Sequence, residues 1–492
     1  MRSKKRNQGS FETTEKQLKR GDTVALVAIA VFALVVAFLG GASRSDAVQI
    51  VALRPLSALF LIPPLVFFGV QKWHHARVPI LLFAGLVTLM AVQLIPLPPS
   101  LWQTLPARDT IADLDALIGQ QALWRPVSMV PSRTLGALAS LIVPGAAMLI
   151  LLTRRVSLRN LYIVIVAIGV VDAGFGIAQI ITGTQSPFYL YSVTNRGAPV
   201  GLFANQNHSA VFSCLVLLIC ARLILEPTYR RELPWLPGVG VATLLLLLVA
   251  IIISGSRSGL AAGLGALAAC VVMSYAAFSK AAKSAKQKSK AKQTKRGSKL
   301  GTFASDPRKL LVALVVAIIV LVALFVLNGR AEIIESVLSQ NALEDIRWKI
   351  WPVLAQMLSA HWLVGSGFGS FEEVYHIYEP RSLLLPSYLN QAHNDWAQFA
   401  IEGGLAAVSM LVIFIAWVAR SIISIAGAMD RPVVTIVFWL SVFGIIAVAS
   451  IVDYPLRAPL FQVIGVWLVL SLAIERANGA DVTQRPSFLE ND

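Results

Sequence analysis

The chain has 492 residues, 56% of them hydrophobic and only 14% charged, with a mean hydropathy of +0.71. Soluble globular proteins carry about 25% charged residues, so that class is excluded. The net charge of +16 invites a nucleic-acid reading, but 30 of the 42 Lys/Arg fall in alternate loops and their helix ends. That is the positive-inside pattern of a multi-spanning membrane protein, and no nucleic acid is expected as a partner.

A run of roughly 18 or more apolar residues crosses a bilayer, and at that length only a helix satisfies its own backbone in lipid. The predicted fold is all-α: a polytopic membrane protein with about 12 transmembrane helices and a helical periplasmic cap. Crossings are predicted near 23–41, 51–70, 78–95, 133–152, 160–182, 205–225, 235–254, 258–278, 309–327, 395–418, 432–452 and 456–474. The basic segment 1–22 is a cytoplasmic tail, and the apolar run after it is an uncleaved first helix. The transmembrane region 23–327 contains a basic cytoplasmic loop at 279–308. From Lys280 to Lys309 there are eleven Lys/Arg and one acid, Asp306. This stretch either fixes topology as a solvated loop or docks on anionic headgroups. A large periplasmic loop follows at 328–393, then a second transmembrane region at 394–474 and a cytoplasmic tail at 475–492. The three cysteines all lie inside predicted helices, so no disulfide framework is implied.

Two outer segments are long enough to be structured. In the first, about 96–132, Thr110 and Asp113 have capping-box spacing. Ile111, Leu114, Leu117 and Ile118 recur at helical spacing, which predicts a helix lying on the outer leaflet. Asp113 and Asp115 are two apart and do not share a helical face, so the pair is structural rather than a metal chelate. In the second, Ile346, Ile350, Val353, Leu354 and Met357 form one helical stripe, with Arg347 off it. Gly365-Ser366-Gly367-Phe368-Gly369 then turns the chain. His361 and His376 are expected at the surface of this cap.

Known chemical motifs are wanting. The Gly365 run is not a dinucleotide fingerprint, and Gly255-Ser256-Arg257-Ser258-Gly259 carries Arg where a hydrolase elbow needs its nucleophile. No HExxH or clustered Cys/His occurs. What remains is a set of polar residues at outer helix ends: Arg257, Arg347, His393, Asn394, Arg457, and the group Asn205, Asn207 and His208. Guanidinium forks suit a diphosphate. A helix N-terminus adds partial positive charge and free N–H groups, with Asn394 or Asp395 as its cap. His393, just before that helix, is read as a proton acceptor. Each residue also has a plainer role. Arg257 snorkels to headgroups. Arg347 anchors the interface beside Trp348 and Trp351. Arg457 pairs with Asp453. Asn205, Asn207 and His208 cap or pack helices. Asp172 and Glu402 lie inside predicted spans, where an ionisable group points to function, although Glu402 before Gly403-Gly404 equally suits a kink.

Four pieces together resemble the superfamily of O-antigen ligases and the related O-antigen and exopolysaccharide polymerases. They are Gly201-Leu202-Phe203-Ala204-Asn205-Gln206-Asn207-His208, Ser254-Gly255-Ser256-Arg257-Ser258-Gly259, Arg347-Trp348 with the Gly365–Gly369 run, and His393-Asn394 continuing to Glu402-Gly403-Gly404. They cover about residues 200–460; the first 190 or so match only in hydropathy. The resemblance implies a metal-independent glycosyltransferase of the bacterial inner membrane, without cofactor, with its active site periplasmic. Its donor is a glycan on undecaprenyl diphosphate, and its acceptor is lipid A–core or a growing chain. Arg257 and Arg347 then hold the diphosphate and His393 assists the acceptor hydroxyl, with Asn205, Asn207, His208, Asn394 and Arg457 as further substrate contacts. Relatives often carry Arg where Gln206 stands and Pro where Trp362 follows His361. The alternative is a transporter or flippase of the same lipid-linked glycan; the lack of repeat symmetry weighs against it.

Overall fold

The computed structural model describes residues 23–62, 64, 74–153, 156–289, 348–384, 389–428 and 432–483. Eight of its helices are long and apolar enough to cross a membrane. In chain order the helices are α1 (Thr23–Leu39), α2 (Val48–Leu59), α3 (Arg77–Val92), α4 (Asp109–Leu117), α5 (Pro131–Thr153), α6 (Leu158–Thr182), α7 (Gln206–Leu225), α8 (Leu236–Ile253), α9 (Arg257–Ser289), α10 (Trp351–His361), α11 (Phe371–Tyr378), α12 (Asp395–Ala428), α13 (Pro432–Val452) and α14 (Pro459–Thr483). The eight are α5 to α9 and α12 to α14; α1, α2 and α3 are apolar but shorter. The expected crossing at 309–327 lies outside the described residues. A two-residue ladder, β1 (Pro96–Leu97) with β2 (Arg125–Pro126), closes the segment between α3 and α5.

The helix α7 is the centre of the bundle, with nearly all of its residues buried. A helix that is apolar on every face needs neighbours on every face, and α6, α8, α9 and α13 supply them. Small residues let backbones approach. A Cβ at Gly169 of α6 would lie 2.5 Å from a Val216 methyl, and one at Gly259 of α9 would lie 2.4 Å from the Ala210 Cβ.

The helix α12 is broken at Gly404, whose φ of 61° is not helical. The break frees carbonyls that lipid cannot satisfy. The Gly365–Gly369 loop satisfies them: Ser366 N–H donates to Ile401 O at 2.9 Å, and Gly367 N–H donates to Glu402 O at 3.0 Å. The Gln93 amide also donates to Glu402 O, at 2.9 Å. A Cβ at Gly365 would lie 2.2 Å from Glu402 O, so the contact needs glycine. The glycine run is thus a clasp for a broken helix, more than the simple turn expected. The kink expected at Glu402-Gly403-Gly404 is present.

Three other expectations are corrected. The capping box is absent: α4 begins at Asp109, which puts Thr110 inside the first turn, and no side chain caps it. The structural reading of Asp113 and Asp115 holds, since Asp115 is buried against Arg125 at 2.5 and 2.6 Å. His361 is not a surface residue; it is 1% exposed, with Nε2 3.1 Å from the Tyr378 hydroxyl. It falls on the inner face of α10 with Val353, Leu354 and Met357. His376 is exposed, as expected, and pairs with Glu379. Of the predicted stripe, Ile350, Val353, Leu354 and Met357 are buried; Ile346 lies outside the described residues.

Candidate functional site

Each polar residue near these helix ends is set by local chemistry. Asn205 caps α7: its Oδ1 accepts from Asn207 N–H at 2.9 Å. Asn394 caps α12 by accepting from Ala397 N–H at 2.9 Å. Ser256 caps α9, accepting from Gly259 N–H at 2.9 Å, and so presents Arg257 as the first helical residue.

Asn205, Asn207 and two histidines converge on one buried carboxylate. Asp453 Oδ2 accepts from Asn207 Nδ2 at 2.9 Å and Asn205 Nδ2 at 3.3 Å. Its Oδ1 lies 3.6 Å from His393 Nδ1 and 3.9 Å from His208 Nε2, ion-pair distances rather than hydrogen bonds. The Tyr454 ring meets both imidazoles edge-on, with centroids 4.8 Å from His393 and 5.3 Å from His208.

His393 has a φ of 49°, one of two positive values among described non-glycine residues. Such a conformation costs about 1–3 kcal/mol and persists only where its surroundings impose it. Here Gln398 Oε1 accepts from Ala392 N–H at 3.0 Å on one side, and the Asn394 cap fixes the other.

Arg457 does not pair with Asp453, contrary to the expectation above. Its Nη1 donates to Glu402 Oε2 at 2.9 Å, and its Nε lies 3.4 Å from Asp395 Oδ1. The 3-10 turn Pro455–Arg457 aims the guanidinium at α12, while the Asp453 carboxylate accepts from its neighbour Tyr454 N–H and faces α7. Burial pulls the Arg457 pKa down, but Glu402 and Asp395 outweigh it and hold it above the ordinary arginine value. Asp395 is anchored in turn by Ser450 Oγ and Leu456 N–H, each at 3.1 Å.

Beside Arg457 opens a cavity of about 670 Å³ with mostly apolar walls, including Met148, Trp396 and Phe399. Arg54, Arg133 and Arg457 are its cationic residues. Of these, Arg133 is paired with Glu373 and lies 3.7 Å from Glu372.

Thus Asn205, Asn207, His208 and His393 are brought together around Asp453, with Asn394 as the adjacent cap. Arg457 stands on the other side, with Asp395 and Glu402. Arg257 is half-buried and opens α9, which abuts Ala210, two residues from His208. Arg347 lies outside the described residues; the next residue, Trp348, is exposed. Sequence reasoning named Asp453 only as a partner for Arg457 and so missed it as the hub. The available signal was an acidic residue at the end of an apolar span, which needs a polar partner.

The fold and this arrangement define a multi-pass, all-α membrane protein with a histidine–carboxylate centre where its helices begin. Residues 242–412 match the model of the family described as O-antigen ligase, so this stretch carries the domain of the superfamily that the sequence resembles. The match runs from α8 into α12 and includes Arg257, Arg347, His393 and Asn394. No curated protein matches the chain. The match supports an O-antigen ligase- or polymerase-like function in general.

Proposed function

We propose that this protein moves an oligosaccharide from undecaprenyl diphosphate to a hydroxyl of an acceptor glycan at the periplasmic face. It acts as a ligase onto lipid A–core or as a polymerase onto a growing chain. The observation that carries this reading is the approach of His393, held in a strained conformation, to the buried Asp453 within 3.6 Å.

In this reading the acceptor hydroxyl oxygen attacks the anomeric carbon as His393 Nε2 takes its proton. Asp453 faces Nδ1 and stabilises the charge that develops on the ring. The bond from the anomeric carbon to the phosphate oxygen breaks, and undecaprenyl diphosphate leaves with the electron pair. Arg257 and Arg347 hold that diphosphate, because fixed guanidinium groups stabilise leaving charge without reorganising. A single displacement inverts the anomeric centre. Asn205, Asn207 and His208 frame the acceptor side, and Asn394 and Arg457 shape the pocket floor. The apolar cavity beside Arg457 suits a polyprenyl chain, whose length demands a dry groove. The same proposal includes about 12 crossings, both tails in the cytoplasm, and segment 328–393 as a cap outside the inner membrane. No metal or cofactor takes part.

The test is reconstitution of purified protein in vesicles with lipid-linked donor and acceptor. A new glycosidic bond, lost in His393→Ala and lowered about 10²–10³-fold in Arg257→Ala and Arg347→Ala, is the expected result. Movement of the donor across the bilayer without bond formation overturns it in favour of a transporter.

A further inference from the structure

The α6 helix carries Asp172, fully buried inside the membrane-spanning bundle and unused in the mechanism above. Its two carboxylate oxygens take two different donors. Oδ1 accepts from Leu202 N–H at 2.7 Å, and Oδ2 accepts from the Ser209 hydroxyl at 2.8 Å. Leu202 and Ser209 bracket the segment that presents Asn205, Asn207 and His208. One carboxylate therefore closes both ends of the turn leading into α7.

Gln179 makes a second attachment. It lies seven residues from Asp172, two helical turns along the same face. Its Oε1 accepts from Gly201 N–H at 2.9 Å, and its Nε2 donates to Gly201 O at 2.9 Å and Phe188 O at 3.0 Å. Gly176, between the two on that face, lets the turn approach: its Cβ would lie 3.3 Å from Pro199. Gly201 itself has a φ of 60°, and a Cβ there would lie 2.1 Å from Asp172 Oδ1. The spacing Asp172, Gly176, Gln179 thus forms a face of α6 shaped to one object, the 199–202 backbone.

We infer that Asp172 and Gln179 are positioning residues that hold the Gly201–Ser209 turn in the register from which Asn205 and Asn207 reach Asp453. The inference rests on the transferase reading for its kinetic consequence, though not for its structural one. Desolvating a carboxylate in lipid is costly, and a packing role alone would be met by an apolar side chain. Two oxygens matched to two donors, one of them the Leu202 backbone N–H, fit a role in holding shape.

The test compares Asp172→Ala, Asp172→Asn and Ser209→Ala in the full-length protein in nanodiscs, by hydrogen exchange and by transfer kinetics. Asp172→Ala should speed exchange in peptides covering 199–209 and lower kcat by about 10–100-fold, with donor KM little changed. Asp172→Asn should restore both readouts to within about threefold, because its oxygen can accept from Leu202 and its amide can donate to Ser209 Oγ. Unchanged exchange and kcat in Asp172→Ala overturn the inference. So does an Asp172→Asn variant as impaired as Asp172→Ala, which assigns Asp172 a role through charge. Should Asp172→Ala fail to accumulate, Ser209→Ala decides: faster exchange at 199–209 supports the tether, and unchanged exchange sinks it. A wild-type protein that forms no glycosidic bond counts against the transferase reading alone, and the exchange result then decides the positioning role.

Discussion

Replacing Asp453 by Asn keeps the shape of the side chain and removes its charge. The nearest charge to develop is on His393, whose Nδ1 is 3.6 Å from Asp453 Oδ1. Unit charges about 4 Å apart attract by about 4 kcal/mol at an effective dielectric near 20. His393 is 20% exposed and Asp453 3%, so solvent reaches one side of the pair. Taking roughly half as surviving screening leaves about 2 kcal/mol. That corresponds to a roughly thirtyfold fall in kcat. The assay is glycan transfer in reconstituted vesicles, with thermal melting of the purified variant as the check on folding. The Asn205 and Asn207 amides still find an acceptor in the new side chain, so melting should change little. If Asp453 acts through His393, the double variant His393→Ala, Asp453→Asn should be no slower than His393→Ala alone. A folded Asp453→Asn protein with wild-type kcat, or a double variant in which the two losses add, refutes the pairing.

Three further outcomes follow from the packing. Gly404→Ala puts a Cβ 2.6 Å from Gly365 N and Leu363 O at a φ of 61°; a loss of at least about 2 kcal/mol is expected, read as a lowered melting temperature. Glu475 accepts from the Trp439 indole N–H at 2.9 Å and lies 3.6 Å from Arg222, so Glu475→Ala strands a buried guanidinium and should cost about 3–5 kcal/mol by the same measurement. Burial, with a smaller contribution from Arg108, depresses the His361 pKa from 6.5 to about 4. The unfolded chain therefore binds the extra proton between those values, and stability is lost as pH falls from 6.5 toward 4. A shift of this size is worth on the order of 3 kcal/mol. Melting curves over that range should slope in the wild type and flatten in His361→Phe.

The apolar spans were legible because length and hydropathy are local properties. Helices α5 to α9 and α12 to α14 begin within a few residues of the predicted crossings, and α5 to α8 and α13 also end there, whereas α9, α12 and α14 run on past the predicted ends. Runs 23–41 and 78–95 appear as shorter helices, Thr23–Leu39 and Arg77–Val92. The caps at Asn205 and Asn394 were legible for the same reason: an Asn stands just before an apolar run. Thr110 misled because the helix starts one residue earlier, at Asp109. The partner of Asp453 was not legible. Only three residues separate it from Arg457, and the eye joins them. Its neighbours in space are 60 and 245 residues away, at His393 and His208, and no periodicity encodes such a meeting. The Gly365–Gly369 clasp was hidden likewise, since its partners are carbonyls exposed only once α12 breaks.

The interruption at Gly404 divides α12 into two rods with separate angular phase. Asp395, Gln398 and Glu402 lie on one side of the first rod, where Gln398 Nε2 meets Glu402 Oε1 at 3.0 Å. Each residue of a helix turns it by about 100°. One amino acid inserted between Asp395 and Glu402 would swing those acids apart and away from Arg457. The same insertion beyond Gly404 would rotate only the far rod, turning Val418, Ile422 and Ile425 out of the core while leaving the acids in place. The glycine therefore acts as a phase decoupler, insulating the acidic face from length changes in the rest of the crossing.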